Sequence, residues 1–231
     1  MARALTLAIV GAESTGKTTL AHELASALAE QTGLACTVVP EWLRAWCERE
    51  GRTPRRAEQA AIARQQHALI DAAAADHDLV VCDTTALMTA VYSRTVFGDG
   101  SLDDEALRLH ASIDLTVLTA LDLPWQADGL QRTGAHVREP VDNRLRALMA
   151  RGNLGWSLVA GTGGRRLQAA LDAVAPAARA LAAPRRGLFT RLAERDAEQR
   201  DWPWLCDCDD PDCEHLARRR VAGHPTGRGP L

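Results

Sequence analysis

A glycine-rich stretch, GAESTGKTTL at residues 11–20, contains Lys17, the only lysine in the sequence. Residues 11–18 fit the pattern G-x-x-x-x-G-K-[ST] in full, and they lie between an apolar run and a segment of helical periodicity, which is the context the pattern requires. Glycines let the backbone curl so that its N–H groups point at phosphate oxygens, and a helix N-terminus adds a favourable dipole. The stretch therefore predicts a phosphate-binding loop.

The residues of this loop have separate expected roles. Lys17 is expected to reach the β- and γ-phosphates of ATP as a compact point charge, because a planar guanidinium is the wrong shape for that position. Thr18 is expected to ligate Mg²⁺, so ATP and Mg²⁺ are the predicted cofactors. The other loop residues expected to bind the nucleotide are Gly11, Glu13, Ser14, Thr15, Gly16 and Thr19.

Two observations bear on whether such a loop serves a hydrolase or a phosphotransferase. GTPase switches read guanine with an Asn-Lys-x-Asp motif, which cannot be present because the only lysine already lies in the loop. Motor-type ATPases often follow the aspartate of the third strand with a glutamate, whereas here Asp83 is followed by Thr84. The sequence therefore argues against a dedicated hydrolase.

Small-molecule kinases of this type carry an acidic residue after the second strand, an aspartate after the third and an arginine-bearing lid after the fourth. Glu41, Asp83 and the segment 123–146 occupy these places. Because ligands bind at the carboxyl ends of parallel strands, the three regions are expected to converge on the phosphate loop. Glu41 and Asp83 are the candidates to orient a substrate hydroxyl, and Asp83 also to hold Mg²⁺.

The predicted lid contains four arginines. Arg132 and Arg138 are expected to contact phosphate, since arginines in a closing lid neutralise the transferring group and exclude water. Arg144 and Arg146 fall in the following helical segment and are expected to be structural.

The elements that position these residues alternate between short apolar runs and longer helical segments. Such alternation predicts right-handed βαβ units in a three-layer α/β sandwich of the P-loop NTPase or nucleoside-kinase-like type, with a mostly parallel five-stranded sheet. The predicted strands are 4–10, 35–40, 79–84, 114–120 and 156–161. The predicted helices are 18–31, 55–76, 85–97, 142–152 and 165–183.

Composition and length suit one such domain with an appendage. The 231 residues carry a net charge of −3, which gives no electrostatic case for a nucleic-acid partner or a membrane surface. No apolar run of about 18 residues could span a bilayer, so a cytoplasmic protein acting on a small molecule is expected. Residues 1–184 are predicted to form the kinase-like domain, and 185–231 a C-terminal extension.

The extension contains three cysteines and a histidine within ten residues, in the spacing C-x-C-x4-C-x-H. A Cys3His set is common at structural zinc sites, although this spacing is tighter than that of paired knuckles. Two interpretations stay open, a structural zinc site and a solvated acidic tail with free thiols. The residues are Cys206, Cys208, Cys213 and His215.

The chain resembles the nicotinamide riboside kinase domain at the C-terminus of NadR, a bifunctional regulator of NAD biosynthesis; related stand-alone proteins are often labelled AAA family ATPases. The segments that carry the resemblance are GAESTGKTTL, PEWLRAW, VVCDTTALMTAVYS and DLTVLTALDLPWQADGLQRTG. Together they lie within residues 5–170. The phosphate loop alone is generic, whereas the pairing of Asp-Thr-Thr with Leu-Pro-Trp and Asp-Gly is more specific.

The resemblance implies ATP-dependent phosphorylation of the 5′-hydroxyl of nicotinamide riboside, giving nicotinamide mononucleotide. It implies that Trp125 stacks on the cationic pyridinium ring, and that Asp128 offsets the ring's charge or holds a ribose hydroxyl. The full set of implied substrate residues is Glu41, Arg44, Asp83, Trp125 and Asp128.

The chain departs from the family pattern at one lid position, where Gln131 stands in the place of an expected arginine and Arg132 follows. The first predicted strand begins at about residue 4, so the DNA-binding and nucleotidyltransferase segments that precede the kinase in the full regulator are expected to be absent. The alternatives are a kinase for another nucleoside or small alcohol, and an ATP-binding regulatory or ATPase module without an acceptor.

Overall fold

Five strands form one central sheet in the computed structural model, which describes residues 3–126 and 134–182. They are β1 (Leu5–Val10), β2 (Cys36–Val39), β3 (Leu79–Asp83), β4 (Leu115–Thr119) and β5 (Ser157–Val159). Their spatial order is β2-β3-β1-β4-β5, and every neighbouring pair is parallel. Because β1 is the middle strand, the segment that follows it lies between the carboxyl ends of β3 and β4.

Helices connect the strands and cover both faces of the sheet. They are α1 (Lys17–Thr32), α2 (Trp42–Glu50), α3 (Gln59–Asp76), α4 (Ala86–Phe97), α5 (Asp103–His110), α6 (Arg138–Arg151) and α7 (Gly164–Ala182). Short 3-10 turns at Arg56–Glu58 and Ala135–Val137 precede α3 and α6. None of the helices in the described ranges is long and apolar enough to cross a membrane.

The three layers follow from the alternation of side chains along β1. Leu7 and Ile9 pack with α1 and α7 on one face of the sheet. Ala8 and Val10 pack with α4 and α6 on the other. All four side chains are fully buried, which explains why residues 7–10 are an unbroken apolar run in the sequence.

The predicted fold class is confirmed, and each of the five strands begins and ends within two residues of its predicted bounds. The helices differ more from prediction. The predicted helix 55–76 begins only at Gln59, after a 3-10 turn, and α6 begins at Arg138, four residues before the predicted start. The helices α2 and α5 had not been predicted. The predicted extension 185–231 lies outside the described residues.

Candidate active site

The phosphate loop joins β1 to α1 at the middle of the sheet. Gly11 has φ +151° and Gly16, directly before α1, has φ +75°, both values that glycine adopts without strain. A Cβ atom on Gly11 would lie 2.1 Å from Oγ1 of Thr119, at the end of β4. The loop therefore depends on glycine at this position for space as well as for backbone conformation.

Side chains within the loop brace its curled backbone. Thr15 is fully buried, and its hydroxyl donates to the carbonyl oxygen of Ala12 at 2.9 Å and accepts from the hydroxyl of Thr119 at 2.7 Å. Lys17 Nζ donates to the same Ala12 carbonyl at 2.8 Å. The side chain of Thr15 is thus a brace, which leaves its backbone N–H as the group that could reach a phosphate.

Thr18 and Asp83 meet across the base of the site, where the hydroxyl of Thr18 donates to Oδ2 of Asp83 at 2.6 Å. Asp83 ends β3 and is buried, and its Oδ1 has no hydrogen-bond partner among the described residues. An unpaired buried carboxylate oxygen is costly, so it indicates a place for a group that the protein does not supply. Hydroxyl and carboxylate oxygens are the ligands Mg²⁺ prefers, and these two residues fit that ion.

A cavity of about 540 Å³ opens beside Lys17. Glu41 and Arg44, from the start of α2, line it together with Lys17, and Nε of Arg44 lies 3.8 Å from Oε2 of Glu41. The structure therefore brings these three predicted residues into one space.

Sequence reasoning missed part of the cavity wall. Gln59 from α3 and the aromatic side chains of Tyr92 and Phe97 from α4 also line it. Tyr92 is the only tyrosine in the sequence, but neither its type nor its spacing distinguishes it from a core residue. Glu13, predicted to contact the nucleotide, faces this cavity as well.

Trp125 is not among the described residues that line this cavity. It is half-buried, and its indole N–H has no hydrogen-bond partner within the described ranges. The next residue, Gln126, is bound to the phosphate loop, because the hydroxyl of Ser14 donates to its carbonyl at 2.9 Å and accepts from its N–H at 3.2 Å. The start of the predicted lid is thus hydrogen-bonded to the phosphate loop.

Arg138 begins α6, where the sequence had predicted a lid loop. The side chain is buried, and Nη1 donates to the carbonyl of Leu123 at 2.9 Å. Its Nε and Nη2 have no partner in the part of the chain that is described. A Cβ atom on Gly16 would lie 3.0 Å from Leu123, so Leu123 contacts both Arg138 and the phosphate loop.

The two other described lid arginines make contacts within and next to α6. Nε of Arg146 lies 2.6 Å from Oδ2 of Asp142, one helical turn away. Arg144 donates to the hydroxyl of Thr95 in α4 at 3.3 Å. Both contacts agree with the structural role expected of these side chains.

A sequence model of the AAA domain family matches residues 6–166, well over half of the chain. The chain belongs to the AAA domain family. No curated protein sequence matches it.

Solved structures share the fold of this AAA domain. A NadR protein in complex with NAD and AMP-PNP has a TM-score of 0.60 at 20% identity, covering 75% of this chain and 49% of that chain. A NadR protein in complex with NR has a TM-score of 0.60 at 19% identity, covering 74% and 52%. Thymidylate kinase from Ehrlichia chaffeensis has a TM-score of 0.53 at 14% identity, covering 76% and 100%. The NadR-like, P-loop kinase-like fold is therefore confirmed, and the AAA domain spans about half the length of the NadR chains.

A buried histidine supports the strand end that carries Asp83 in this AAA domain. His110 is 2% exposed, and its two ring nitrogens contact the hydroxyls of Thr85, at the start of α4, and Thr116, in β4, at 2.9 and 2.8 Å. Burial, with a smaller contribution from His67, lowers the pKa of His110 from 6.5 to about 4. A neutral imidazole therefore bridges the start of α4, just after Asp83, to β4, which lies on the far side of β1 from β3.

Several predicted residues lie outside the described residues, and their roles stay predictions. Within the described ranges, no group of three or more histidine, cysteine, aspartate or glutamate side chains could hold a metal ion. The residues outside are Asp128, Arg132, Cys206, Cys208, Cys213 and His215.

Proposed function

We propose that this AAA domain is an ATP-dependent kinase that transfers the γ-phosphate to a hydroxyl of a small molecule, and that the acceptor is the 5′-hydroxyl of nicotinamide riboside, giving nicotinamide mononucleotide. The observation that carries the proposal is the cavity of about 540 Å³ beside Lys17. This volume suits a nucleoside-sized molecule, whereas hydrolysis needs room only for water.

The nucleotide side of the site would be formed by the phosphate loop. Its curled backbone offers N–H groups to phosphate oxygens, and Lys17 adds a charge. Thr18 and Asp83 would hold Mg²⁺, which neutralises phosphate charge when bound. The unpaired N–H groups of Arg138 are suited to phosphate oxygens, because a guanidinium forms charge-assisted hydrogen bonds with them.

The acceptor side would be formed by the two carboxylates that follow β2 and β3. Glu41 lines the cavity, and Asp83 has the unpaired Oδ1. Either could accept a hydrogen bond from the attacking hydroxyl and orient it toward the γ-phosphate, and positioning of this kind accounts for much of phosphoryl-transfer catalysis.

Nicotinamide riboside as acceptor is supported by the NadR-like fold and by the Leu-Pro-Trp segment that follows β4. A second candidate, a kinase for another nucleoside or small alcohol, is favoured by the aromatic lining of the cavity. That lining comes from Tyr92 and Phe97, and Trp125 is not part of it. If Tyr92 or Phe97 contacts the acceptor in place of Trp125, the site could favour an acceptor with a different ring.

The test is ADP release from ATP and Mg²⁺, measured alone and with a panel of nucleosides that includes nicotinamide riboside, with the product identified by mass spectrometry. Strong stimulation by nicotinamide riboside with nicotinamide mononucleotide as product is the expected result. Stimulation by another acceptor would support kinase activity but refute nicotinamide riboside as the substrate. ATP binding without stimulation by any acceptor would refute the kinase in favour of a regulatory module.

Paired variants locate the aromatic contact. If Trp125 stacks on the acceptor's ring, Trp125→Ala should raise the KM for the acceptor by about 2- to 30-fold and leave ATP binding nearly unchanged. If the ring lies in the cavity, Tyr92→Leu should have that effect instead.

A further inference from the structure

We propose that Glu13 and Gln59 form a pair of hydrogen-bond acceptors that binds hydroxyl groups of the phosphate acceptor other than the one that is phosphorylated. In this proposal Gln59 determines the specificity for a ribose over a deoxyribose compound. The inference rests on the proposed function in one respect, since it takes the cavity beside Lys17 as the acceptor site.

Glu13 and Gln59 are both buried, and each has one side-chain oxygen without a hydrogen-bond partner among the described residues. Glu13 is 6% exposed and Gln59 is 4% exposed, and both line the cavity. Oε2 of Glu13 and Oε1 of Gln59 are buried and have no hydrogen-bond partner among the residues that the structure describes. Buried polar atoms are almost always paired, so two unpaired oxygens on residues that line one cavity indicate donors supplied from outside the protein.

A second buried glutamine on the same helix shows the ordinary arrangement. Gln66 is 2% exposed, its Oε1 accepts from the N–H of Trp42 at 2.7 Å, and its Nε2 donates to the carbonyl of Pro40 at 3.3 Å. Both ends of this amide are satisfied by the backbone around the start of α2. Gln66 therefore serves structure, whereas the oxygen of Gln59 is left for a ligand.

The chemistry of the pair selects for donors. The unpaired carboxylate oxygen and amide oxygen both accept hydrogen bonds, and a phosphate or carboxylate of a ligand would be repelled by Glu13. Neighbouring hydroxyls of a sugar supply two donors. A site built to bind a hydroxyl rejects the analogue that lacks it, because the buried oxygen is then left unpaired.

The test is calorimetric binding in the presence of ADP and Mg²⁺. The ligands are nicotinamide riboside, adenosine, cytidine and uridine, each compared with its 2′-deoxy and 3′-deoxy counterparts. The wild-type protein should bind at least one riboside about tenfold or more tightly than a deoxy counterpart. Gln59→Met should remove this preference and leave ADP affinity unchanged. Gln59→Glu, which keeps an acceptor oxygen at the same length, should retain the preference.

Gln66→Met is the matched control, because it removes a buried amide on the same helix. It should lower the melting temperature and leave the ratio of riboside to deoxyriboside affinity unchanged. A preference that survives in Gln59→Met would overturn the proposal, as would wild-type protein that binds no riboside more tightly than its deoxy counterparts.

Transfer assays with the same ligands separate this inference from the proposed function. Suppose that the preference for ribosides depends on Gln59 but no bound ligand is phosphorylated. This result would support binding by Glu13 and Gln59 and refute the proposed kinase activity. Equal transfer to a riboside and both its deoxy counterparts would support the kinase and refute the acceptor pair.

Discussion

Acidification should destabilise the fold through His110. The folded protein buries this imidazole between two threonine hydroxyls and lowers its pKa from 6.5 to about 4, chiefly by desolvation. Between these pH values the unfolded chain binds a proton at His110 that the folded protein does not bind. The free energy of unfolding therefore falls as the pH is lowered through this range.

The magnitude follows from the size of the pKa change. The contribution of His110 is fully present above pH 6.5, declines by about 1.4 kcal/mol per pH unit below it, and reaches a loss of about 3 kcal/mol near pH 4. That loss is a sizeable share of the stability of about 5–15 kcal/mol typical of a native domain.

The assay is urea unfolding of the wild-type protein and His110→Gln at a series of pH values from about 7.5 to about 4.5. His110→Gln should be less stable near neutral pH, because its contacts are altered, but it should lose about 2.5 kcal/mol less than the wild type over the series. Glu58, whose pKa is lowered from 4.5 to about 2 by its contact with Arg52, begins to contribute a further loss only at the acid end of the series, and this loss is equal in both proteins. Equal pH slopes for the two proteins would refute the reasoning.

Three further predictions concern the site. Asp83→Asn should lower kcat at least about a hundredfold while ATP affinity changes only a few-fold, as measured by ADP release and nucleotide binding; an unchanged kcat would exclude Asp83 from catalysis. Gly11→Ala should abolish ATP binding and lower the melting temperature, because the new Cβ would meet Thr119 at 2.1 Å, and normal binding would contradict this packing. Arg138→Met should lower kcat about a hundredfold with a smaller effect on ATP affinity, and an equal loss of both would instead indicate a structural role for Arg138.

The parts of the site that could be predicted are those encoded by short runs of sequence. The phosphate loop is such a run, and Asp83 is positioned by the buried strand that it ends. The five strands could be predicted because each is a short, largely apolar run between helical segments, and the inner strands β3, β1 and β4 are covered by helices on both faces.

The cavity wall could not be predicted, because it is assembled from helix faces that only packing brings together. Gln59 and Tyr92 lie on separate helices, and their spacing carries no sign that both face one space. The helix α5 was missed because it has only eight residues, three of them acidic, although Asp103, Ala106 and His110 are buried at a helical spacing. The expected place of Trp125 came from a resemblance, which transfers a position along the chain but not the conformation of a loop.

Lys17 carries the only side-chain amine in the sequence, and that amine lies within the phosphate loop, bound to a backbone carbonyl. Arginine supplies the positive charge elsewhere, and guanidinium groups do not react with reagents selective for amines. Reductive methylation with an isotope-labelled reagent would therefore place a single side-chain NMR probe in the nucleotide site without any engineered residue. By the same token, an enzyme that acetylates lysine would find one side-chain target on this chain, and its modification would inactivate the nucleotide site instead of altering an outer surface.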